Sequence, residues 1–208
     1  MTVLLINGSV HERGSTATAL AEVARGIADA GQMSQTVWIG AEAVRPCIAC
    51  GGCRKSQRCA FGDEDGVNRL IELILAADGV VFGSPVYYAG MNGALKCLLD
   101  RIFFAGSAGF ALKPAACLVV ARRGGTTSAL EQLQKYPNIA QMPIVGSFYW
   151  PMLHGRRPEE VQQDAEGMQI AWQLGANMAW LIRCIQAGLA SGLQPLVCQS
   201  RTMTNFIR

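Results

Sequence analysis

The sequence lacks the features that direct a chain to or through a membrane. Its N-terminal segment, MTVLLINGSVHERG, has neither the long apolar core nor the small-residue cleavage site of a signal peptide. No stretch approaches the roughly eighteen apolar residues of a spanning helix. Glu72 and Asp78 interrupt one apolar region, and Gln173, Asn177 and Arg183 interrupt the other. These absences predict a cytoplasmic protein without a membrane partner.

Charge is also scarce. Only 16% of the 208 residues are charged and the net charge is +3. The few lysines and arginines are scattered, which argues against a nucleic-acid partner but is compatible with an anionic ligand. Half of the residues are apolar, and with so little charge this favours a homodimer or homotetramer. The length predicts one domain, residues 1–208, with a cysteine-rich insertion at 45–65 and a C-terminal extension at 190–208.

Several motifs of nucleotide and catalytic chemistry are missing as well. The chain contains neither the Walker pattern nor Gly-x-Gly-x-x-Gly after its first apolar run, which argues against a nucleotide triphosphatase and a dinucleotide cradle. It has only two histidines, no recognisable catalytic triad and no paired catalytic carboxylates. These absences do not argue against a mononucleotide phosphate, which is the anionic ligand that remains.

What is present begins with a polar loop between a strand and a helix. Residues 2–7 (TVLLIN) predict a strand buried on both faces, and a helical pattern runs from Ala17 to Ala28. The loop Gly8–Thr16 lies between them and offers hydroxyls and free N–H groups at a helix start. This arrangement is typical of phosphate binding, although ordinary N-capping by Ser15 and Thr16 explains the same residues.

The rest of the chain is organised around residues 79–101, GVVFGSPVYYAGMNGALKCLLDR. Val80, Val81 and Phe82 predict a buried strand, and the apolar spacing from Met91 to Ile102 predicts a helix. The segment 85–90 between them combines a proline, two tyrosines and small residues. It suits a planar heterocycle, but it also fits a simple corner whose tyrosines cover the core.

The remaining pattern alternates strands and helices. Strands are predicted at 35–39, 115–121 and 143–148, and helices at 67–77, 128–135 and 161–189, the last one interrupted near Gly167 and Gly175. Residues 149–160 are predicted to be irregular. This order predicts a parallel sheet with right-handed crossovers, in which the loops 9–16, 85–90 and 122–127 meet at the carboxyl ends of the strands.

These loops resemble those of the flavodoxin-like superfamily, and within it the NADPH-dependent FMN reductase family. The carrying residues are Asn7-Gly8-Ser9 with Gly14-Ser15-Thr16, the GSPVYY segment from Gly83 with Leu95-Lys96 and Leu99-Asp100-Arg101, and Gly124-Gly125. The resemblance runs from Thr2 to about Ala190. It implies an α/β fold with a doubly wound, five-stranded parallel sheet of order 2-1-3-4-5 and helices on both faces.

The resemblance also implies a set of FMN-binding residues. Ser9, Arg13, Ser15 and Thr16 would hold the phosphate. The isoalloxazine would be lined by Pro85, Val86, Tyr87, Tyr88 and Gly90. Its polar edge would be closed by Arg122, Arg123, Gly124, Gly125 and Thr126. Asp100 and Arg101 lie too deep in their helix to be assumed catalytic, and are interpreted as structural, with an ion pair at a subunit contact as one option.

The insertion holds four cysteines, Cys47, Cys50, Cys53 and Cys59, spaced x2, x2 and x5. Four thiolates in a compact loop can bind a [4Fe–4S] cluster, whereas zinc sites usually place two cysteine pairs further apart. The spacing resembles that of the iron–sulfur flavoproteins, a branch of the same superfamily. Structural or redox-active thiols remain an alternative. The other four cysteines, Cys97, Cys117, Cys184 and Cys198, are interpreted as small buried hydrophobes.

The expected function is an FMN-dependent oxidoreductase that takes a hydride from NAD(P)H and reduces a flavin, a quinone, a metal ion or an electron carrier. Positioning nicotinamide against flavin requires no acid or base residue, so no catalytic residue is assigned. A second hypothesis is an iron–sulfur flavoprotein that carries electrons between FMN and a cluster without using NAD(P)H. A third is a flavin-binding or redox-sensing module whose cysteines form disulfides. The acceptor is a small molecule or a protein.

Overall fold

The structure is a computed structural model that describes residues 1–195, 204 and 206. Cys198 and most of the C-terminal extension lie outside the described residues. What the sequence predicts for these positions therefore stays a prediction.

Five parallel strands form the body of the sheet, in the order β2-β1-β3-β5-β6, and a short sixth strand, β4, pairs antiparallel with β3. With β4 set aside, the five parallel strands have the flavodoxin-like order 2-1-3-4-5 that was predicted. The strands are β1 Thr2–Asn7, β2 Met33–Trp38, β3 Gly79–Tyr87, β4 Gly90–Met91, β5 Ala115–Ala121 and β6 Met152–His154.

Helices cover both faces of this sheet. They are α1 Ser15–Asp29, α2 Cys53–Ser56, α3 Val67–Ala76, α4 Gly93–Gly106, α5 Thr126–Ile139, α6 Pro158–Gln163 and α7 Ala165–Ala190, with a 3₁₀ turn at Ser107–Gly109. In the described part of the chain, no helix has both the length and the apolar character needed to cross a bilayer.

Two apolar cores explain the continuous apolar runs of the strands. Leu4 and Ile6 of β1 point to one face, where α3, α4 and α5 pack, while Val3 and Leu5 point to the other, where α1, α6 and α7 pack. Successive side chains of a strand alternate between faces, so a strand covered on both sides is apolar at every position. The prediction that the strand at 2–7 is buried on both faces is confirmed.

The fifth parallel strand does not lie where the sequence predicted it. Residues 143–148 contribute only an isolated bridge between Ile144 and Ala115, and β5 instead pairs with residues 152–154. The chain leaves the sheet because α7 holds the next residues: Ser147 Oγ donates to the carbonyl of Ile170, and Asn177 Nδ2 donates to that of Gly146. The prediction of a strand at 143–148 is therefore wrong, and the segment predicted as irregular contains β6.

The long C-terminal helix also differs from its prediction. Residues 158–163 form the separate α6, and α7 then runs from Ala165 to Ala190 without a break at Gly167 or Gly175. Gly175 lies where α7 crosses α1, because a Cβ there would sit 2.1 Å from the carbonyl oxygen of Val23. The glycine allows close helix packing and does not interrupt the helix.

Candidate functional site

A cavity of about 790 Å³ opens at the carboxyl ends of the parallel strands. Loops that follow β1, β5 and β6 line it, together with the last residue of β2 and the last three residues of β3. Its lining residues are Ser9, Val10, His11, Glu12, Arg13, Gly14, Ser15, Thr16, Trp38, Pro85, Val86, Tyr87, Arg122, Gly155, Arg156, Arg157 and Pro158. The volume lies in the range of sites for drug-sized ligands and cofactors.

The loop after β1 is held in shape by the buried side chain of Asn7. The Asn7 Oδ1 atom accepts from the backbone N–H of Ser9 at 3.1 Å, and its Nδ2 donates to the carbonyl of Glu12 at 3.1 Å. Trp38 Nε1 donates to the carbonyl of Ser9 at 2.8 Å. The loop is therefore fixed by hydrogen bonds to β1 and β2 before any ligand binds.

Helix α1 begins at this loop without a side-chain cap and without an acidic residue in its first turn. The N–H groups of a first helical turn have no intrahelical partner, and the helix dipole places partial positive charge there. The alternative that Ser15 and Thr16 serve as ordinary N-caps does not fit, because the N-cap position is Gly14. The start of α1 offers the cavity free N–H groups, two hydroxyls and the cation of Arg13.

Strands β3 and β4 form a tight hairpin. Val86 pairs with Met91 and Tyr87 with Gly90, so Tyr88 and Ala89 are its two turn residues. Both have positive φ angles, 50° and 58°, as a type I′ turn requires. Tyr87 lines the cavity, whereas the side chain of Tyr88 is fully exposed. The hairpin therefore places Tyr87 against the cavity and Tyr88 in solvent.

Asn92 connects this hairpin to the loop after β1. Its Oδ1 caps α4 by accepting from the N–H of Ala94 at 2.8 Å, and its Nδ2 donates to the carbonyl of Gly8 at 3.0 Å. Gly8 in turn donates its N–H to Gly83 at 2.8 Å. A Cβ at Gly8 would lie 2.6 Å from that carbonyl oxygen, so only glycine fits. The two loops that flank the β1/β3 switch point thus form one rigid unit.

Eight of the fourteen residues predicted to bind the flavin line the cavity: Ser9, Arg13, Ser15, Thr16, Pro85, Val86, Tyr87 and Arg122. The other six, Tyr88, Gly90, Arg123, Gly124, Gly125 and Thr126, do not. Gly125 packs against the hairpin. Its φ is 90°, and a Cβ there would lie 2.7 Å from the Cα of Ala89.

Sequence reasoning missed part of the lining. Trp38 lies inside the strand predicted at 35–39, and residues 155–158 lie in the segment predicted to be irregular. The signal for residues 155–158 was Gly-Arg-Arg-Pro directly after a strand, but that strand was predicted at 143–148 and lies at Met152–His154.

The four cysteines of the insertion line a second, smaller cavity of about 140 Å³. All four thiols are free. Within residues 1–195, 204 and 206, no three or more His, Cys, Asp or Glu side chains gather around one point as ligands of a single ion. Cys59 is fixed by Asn68, whose Oδ1 accepts from its N–H at 2.7 Å and whose Nδ2 donates to its carbonyl at 3.1 Å.

Arg101 reaches this cysteine cavity from α4. Its side chain is 1% exposed, its Nε donates to Cys59 Sγ at 3.2 Å, and its Nη1 donates to the carbonyl of Arg45 at 3.3 Å. The guanidinium forms an ion pair with Asp65 and lies 4.9 Å from the ring centre of Phe61. The structural interpretation of Arg101 agrees with these contacts, and its acidic partner lies in the same chain.

Asp100, its neighbour, belongs to a different group. It accepts from Lys96 Nζ at 3.0 Å and from the hydroxyl of Tyr136 at 2.5 Å. Burial, together with the hydrogen bond to Asp100, raises the pKa of Tyr136 to about 12, so this phenol stays protonated. Asp100 and Arg101 are thus not paired with each other.

The remaining described cysteines have mixed surroundings. Cys117 is buried in β5, and burial raises the pKa of its thiol well above the usual range, so it is inert. Cys97 is partly exposed and Cys184 is exposed, so the prediction that both are buried is wrong. Cys97 lies on α4 and Cys184 on α7.

Comparison with known proteins gave consistent results. The sequence profile described as NADPH-dependent FMN reductase matches residues 1–156. An iron–sulfur flavoprotein of Methanocaldococcus jannaschii is 28% identical over 195 residues, which cover 89% of this chain and all of that protein. An iron–sulfur flavoprotein of Methanosarcina thermophila is 31% identical over 157 residues, covering 74% of this chain and 80% of that protein.

A solved structure supports the fold. RosB, determined with 8-demethyl-8-formylriboflavin-5′-phosphate bound, superposes with a TM-score of 0.71 at 15% identity. The match covers all of this chain and 93% of RosB. At this identity, the similarity concerns the arrangement of strands and helices and not the chemistry.

Proposed function

The chain belongs to the NADPH-dependent FMN reductase family, and from that premise we propose that it binds FMN at the sheet edge and oxidises NADPH or NADH through it. One observation carries this proposal: the cavity formed by the end of β3 and the loops after β1 and β5, with an uncapped helix start at one end and a tyrosine-bearing hairpin beside it. An FMN-dependent oxidoreductase in general is what its relatives support.

The residues present fit FMN. The hydroxyls of Ser9, Ser15 and Thr16 and the first N–H groups of α1 form a phosphate site, since a helix start with free N–H groups favours an anion. Pro85, Val86 and Tyr87 offer a flat, mostly apolar wall for the isoalloxazine. Arg122 lines the same cavity and can stabilise negative charge at the polar edge of the ring.

When bound, FMN supplies the redox chemistry, because it accepts a hydride and passes electrons on singly or in pairs. The protein positions both ligands and excludes water between them. None of the residues that line the cavity is needed as a general acid or base for hydride transfer, so we assign positioning and electrostatic roles only. The fixed loops 8–14 and 83–92 meet the requirement for a preorganised site.

A second activity is favoured by the cysteine cavity. We propose that Cys47, Cys50, Cys53 and Cys59 hold a [4Fe–4S] cluster, which supplies one-electron transfer when bound. Free thiols from all four positions line one cavity, and each cysteine of such a cluster binds a separate iron, so the thiols need not meet at one point. Without NAD(P)H activity, the same two groups would make the chain an electron carrier.

Rapid mixing of anaerobic, FMN-loaded protein with NADPH distinguishes the two functions. Bleaching of the flavin absorbance within seconds is expected for the reductase. A flavin that stays oxidised by NADPH and NADH but is reduced by dithionite would contradict it and leave the carrier. The variant Ser15→Ala/Thr16→Ala is the matched test of the site and is expected to lose FMN on dialysis, because two hydroxyl donors to the phosphate are removed.

The cluster is tested by iron and acid-labile sulfide assays on anaerobically purified protein. Four irons per chain are expected, and Cys50→Ser is expected to abolish them while FMN stays bound. Cys184→Ser, an exposed cysteine outside the insertion, is the control and should keep its iron. An iron-free wild type after reconstitution with iron and sulfide would contradict the assignment of the cluster.

A further inference from the structure

The loop after β6 presents two arginines to the flavin cavity from a rigid backbone. Gly155 donates its N–H to the carbonyl of Ala121 at 2.9 Å, and the N–H of Arg156 donates to Glu160 Oε2 at 2.7 Å. The carbonyl of Arg157 accepts from the N–H of Val161 at 3.1 Å. The two arginines that line the cavity therefore stand on a fixed backbone.

Neither guanidinium is neutralised by the protein. Within residues 1–195, 204 and 206, no carboxylate forms an ion pair with Arg156 or Arg157. Glu160 is engaged by the backbone of Arg156 and not by its side chain. Both arginines line the cavity and are exposed, so a ligand that arrives from solvent can reach them.

The charge of the cavity exceeds what one flavin phosphate neutralises. Among the described residues, four arginines line it, Arg13, Arg122, Arg156 and Arg157, against one acid, Glu12. The start of α1 adds about half a positive charge. A phosphate monoester carries about −1.5 to −2 at neutral pH, so roughly one to two positive charges remain after FMN binds. A site with this surplus is suited to a second phosphate group.

We propose that Arg156 and Arg157 form a subsite for the 2′-phosphate of NADPH. This proposal rests on the proposed function, in which FMN takes the start of α1 and a pyridine nucleotide enters the same cavity. Guanidinium groups bind phosphate through paired N–H donors, and NADH offers no phosphate at the 2′ position. The subsite would select the phosphorylated coenzyme by charge and hydrogen bonding.

The test compares both coenzymes in Arg156→Gln/Arg157→Gln. The ratio of kcat/KM for NADPH to that for NADH is expected to fall about tenfold or more, because hydrogen bonds to a charged group are lost. The control is Arg69→Gln/Arg183→Gln, which removes two exposed arginines that line neither the flavin cavity nor the cysteine cavity and should leave the ratio unchanged. An unchanged ratio in the first variant would overturn the proposal.

Direct binding gives a readout without turnover. Calorimetry on FMN-loaded protein is expected to show that adenosine 2′,5′-bisphosphate binds more tightly than adenosine 5′-monophosphate, and that the arginine variant loses the difference. If the variant instead releases FMN and keeps the coenzyme ratio, the arginines serve the flavin phosphate and the proposal is overturned. If neither coenzyme reduces the wild-type flavin, the proposed function fails, and the bisphosphate measurement alone decides the subsite.

Discussion

Replacing Arg101 with leucine is expected to lower the free energy of unfolding by about 2 to 4 kcal/mol, because it removes one partner of a buried ion pair. The guanidinium is 1% exposed, while its partner Asp65 keeps 23% of its side-chain surface. Because Asp65 keeps some contact with water, the free-energy cost of leaving it unpaired is lower than for a fully buried carboxylate. Leucine also leaves the carbonyl of Arg45 without its donor.

The loss of stability should be largest in the cysteine insertion. Arg101 is the group that links α4 to Cys59, Arg45 and Asp65 at once, so its removal weakens the attachment of the loop to the helix that follows the flavin hairpin. Any iron bound by the cysteines is then expected to be retained less well. Arg101→Lys keeps the charge but cannot reach three partners with a planar fork, so it should fall between wild type and leucine.

Urea unfolding of iron-free protein measures this effect apart from any cluster. Arg58→Gln is the matched control: Arg58 lies in the same insertion and pairs with Asp63 and Glu72, but at the exposed surface. Exposed ion pairs contribute little, so this control should unfold near the wild-type midpoint. Equal midpoints for Arg101→Leu and wild type would refute a stabilising role of the buried pair.

Much of the fold could be predicted because its signals are local. Residues 2–7 and 115–121 are apolar runs of strand length, and the structure has strands with those bounds. The helix at 67–77 and the polar loops after three strands follow from periodicity and composition in the same way. Since parallel strands share one edge, these local signals were enough to bring Ser9, Pro85 and Arg122 into one cavity.

The missed features depend on contacts between distant residues. Tyr88 and Ala89 adopt left-handed backbone conformations without glycine or asparagine, because hairpin pairing of Tyr87 with Gly90 imposes the turn. The strand β6 is only three residues long, too short for a periodic signal, and its neighbour sequence at 143–148 is more strand-like. Because the strand was predicted at 143–148, the arginines of residues 155–158 were not predicted to follow a strand.

Gly175 is another feature that depends on contacts between distant residues, and it gives the last prediction. The sequence suggested a helix break there, because glycine is a poor helix former. In the structure it faces Gly26 across the crossing of α7 with α1: a Cβ at Gly26 would lie 2.0 Å from the carbonyl oxygen of Trp172, and one at Gly175 would lie 2.1 Å from that of Val23. Both obstacles are backbone atoms, which cannot rotate away as a side chain can.

Gly175→Val is therefore expected to cost about 3 kcal/mol or more, at or above the upper end of ordinary overpacking, because the two helices must separate. Thermal or urea unfolding measures this cost. Gly188→Ala is the control within α7, where a Cβ meets only the Leu193 side chain at 3.3 Å, and it should be neutral or slightly stabilising. A Gly175→Val protein as stable as wild type would mean that the helices can move apart freely. Because α1 begins at the phosphate loop, helix separation should also weaken FMN binding, and a stability loss with unchanged FMN affinity would show that the start of α1 is held by its loop contacts alone.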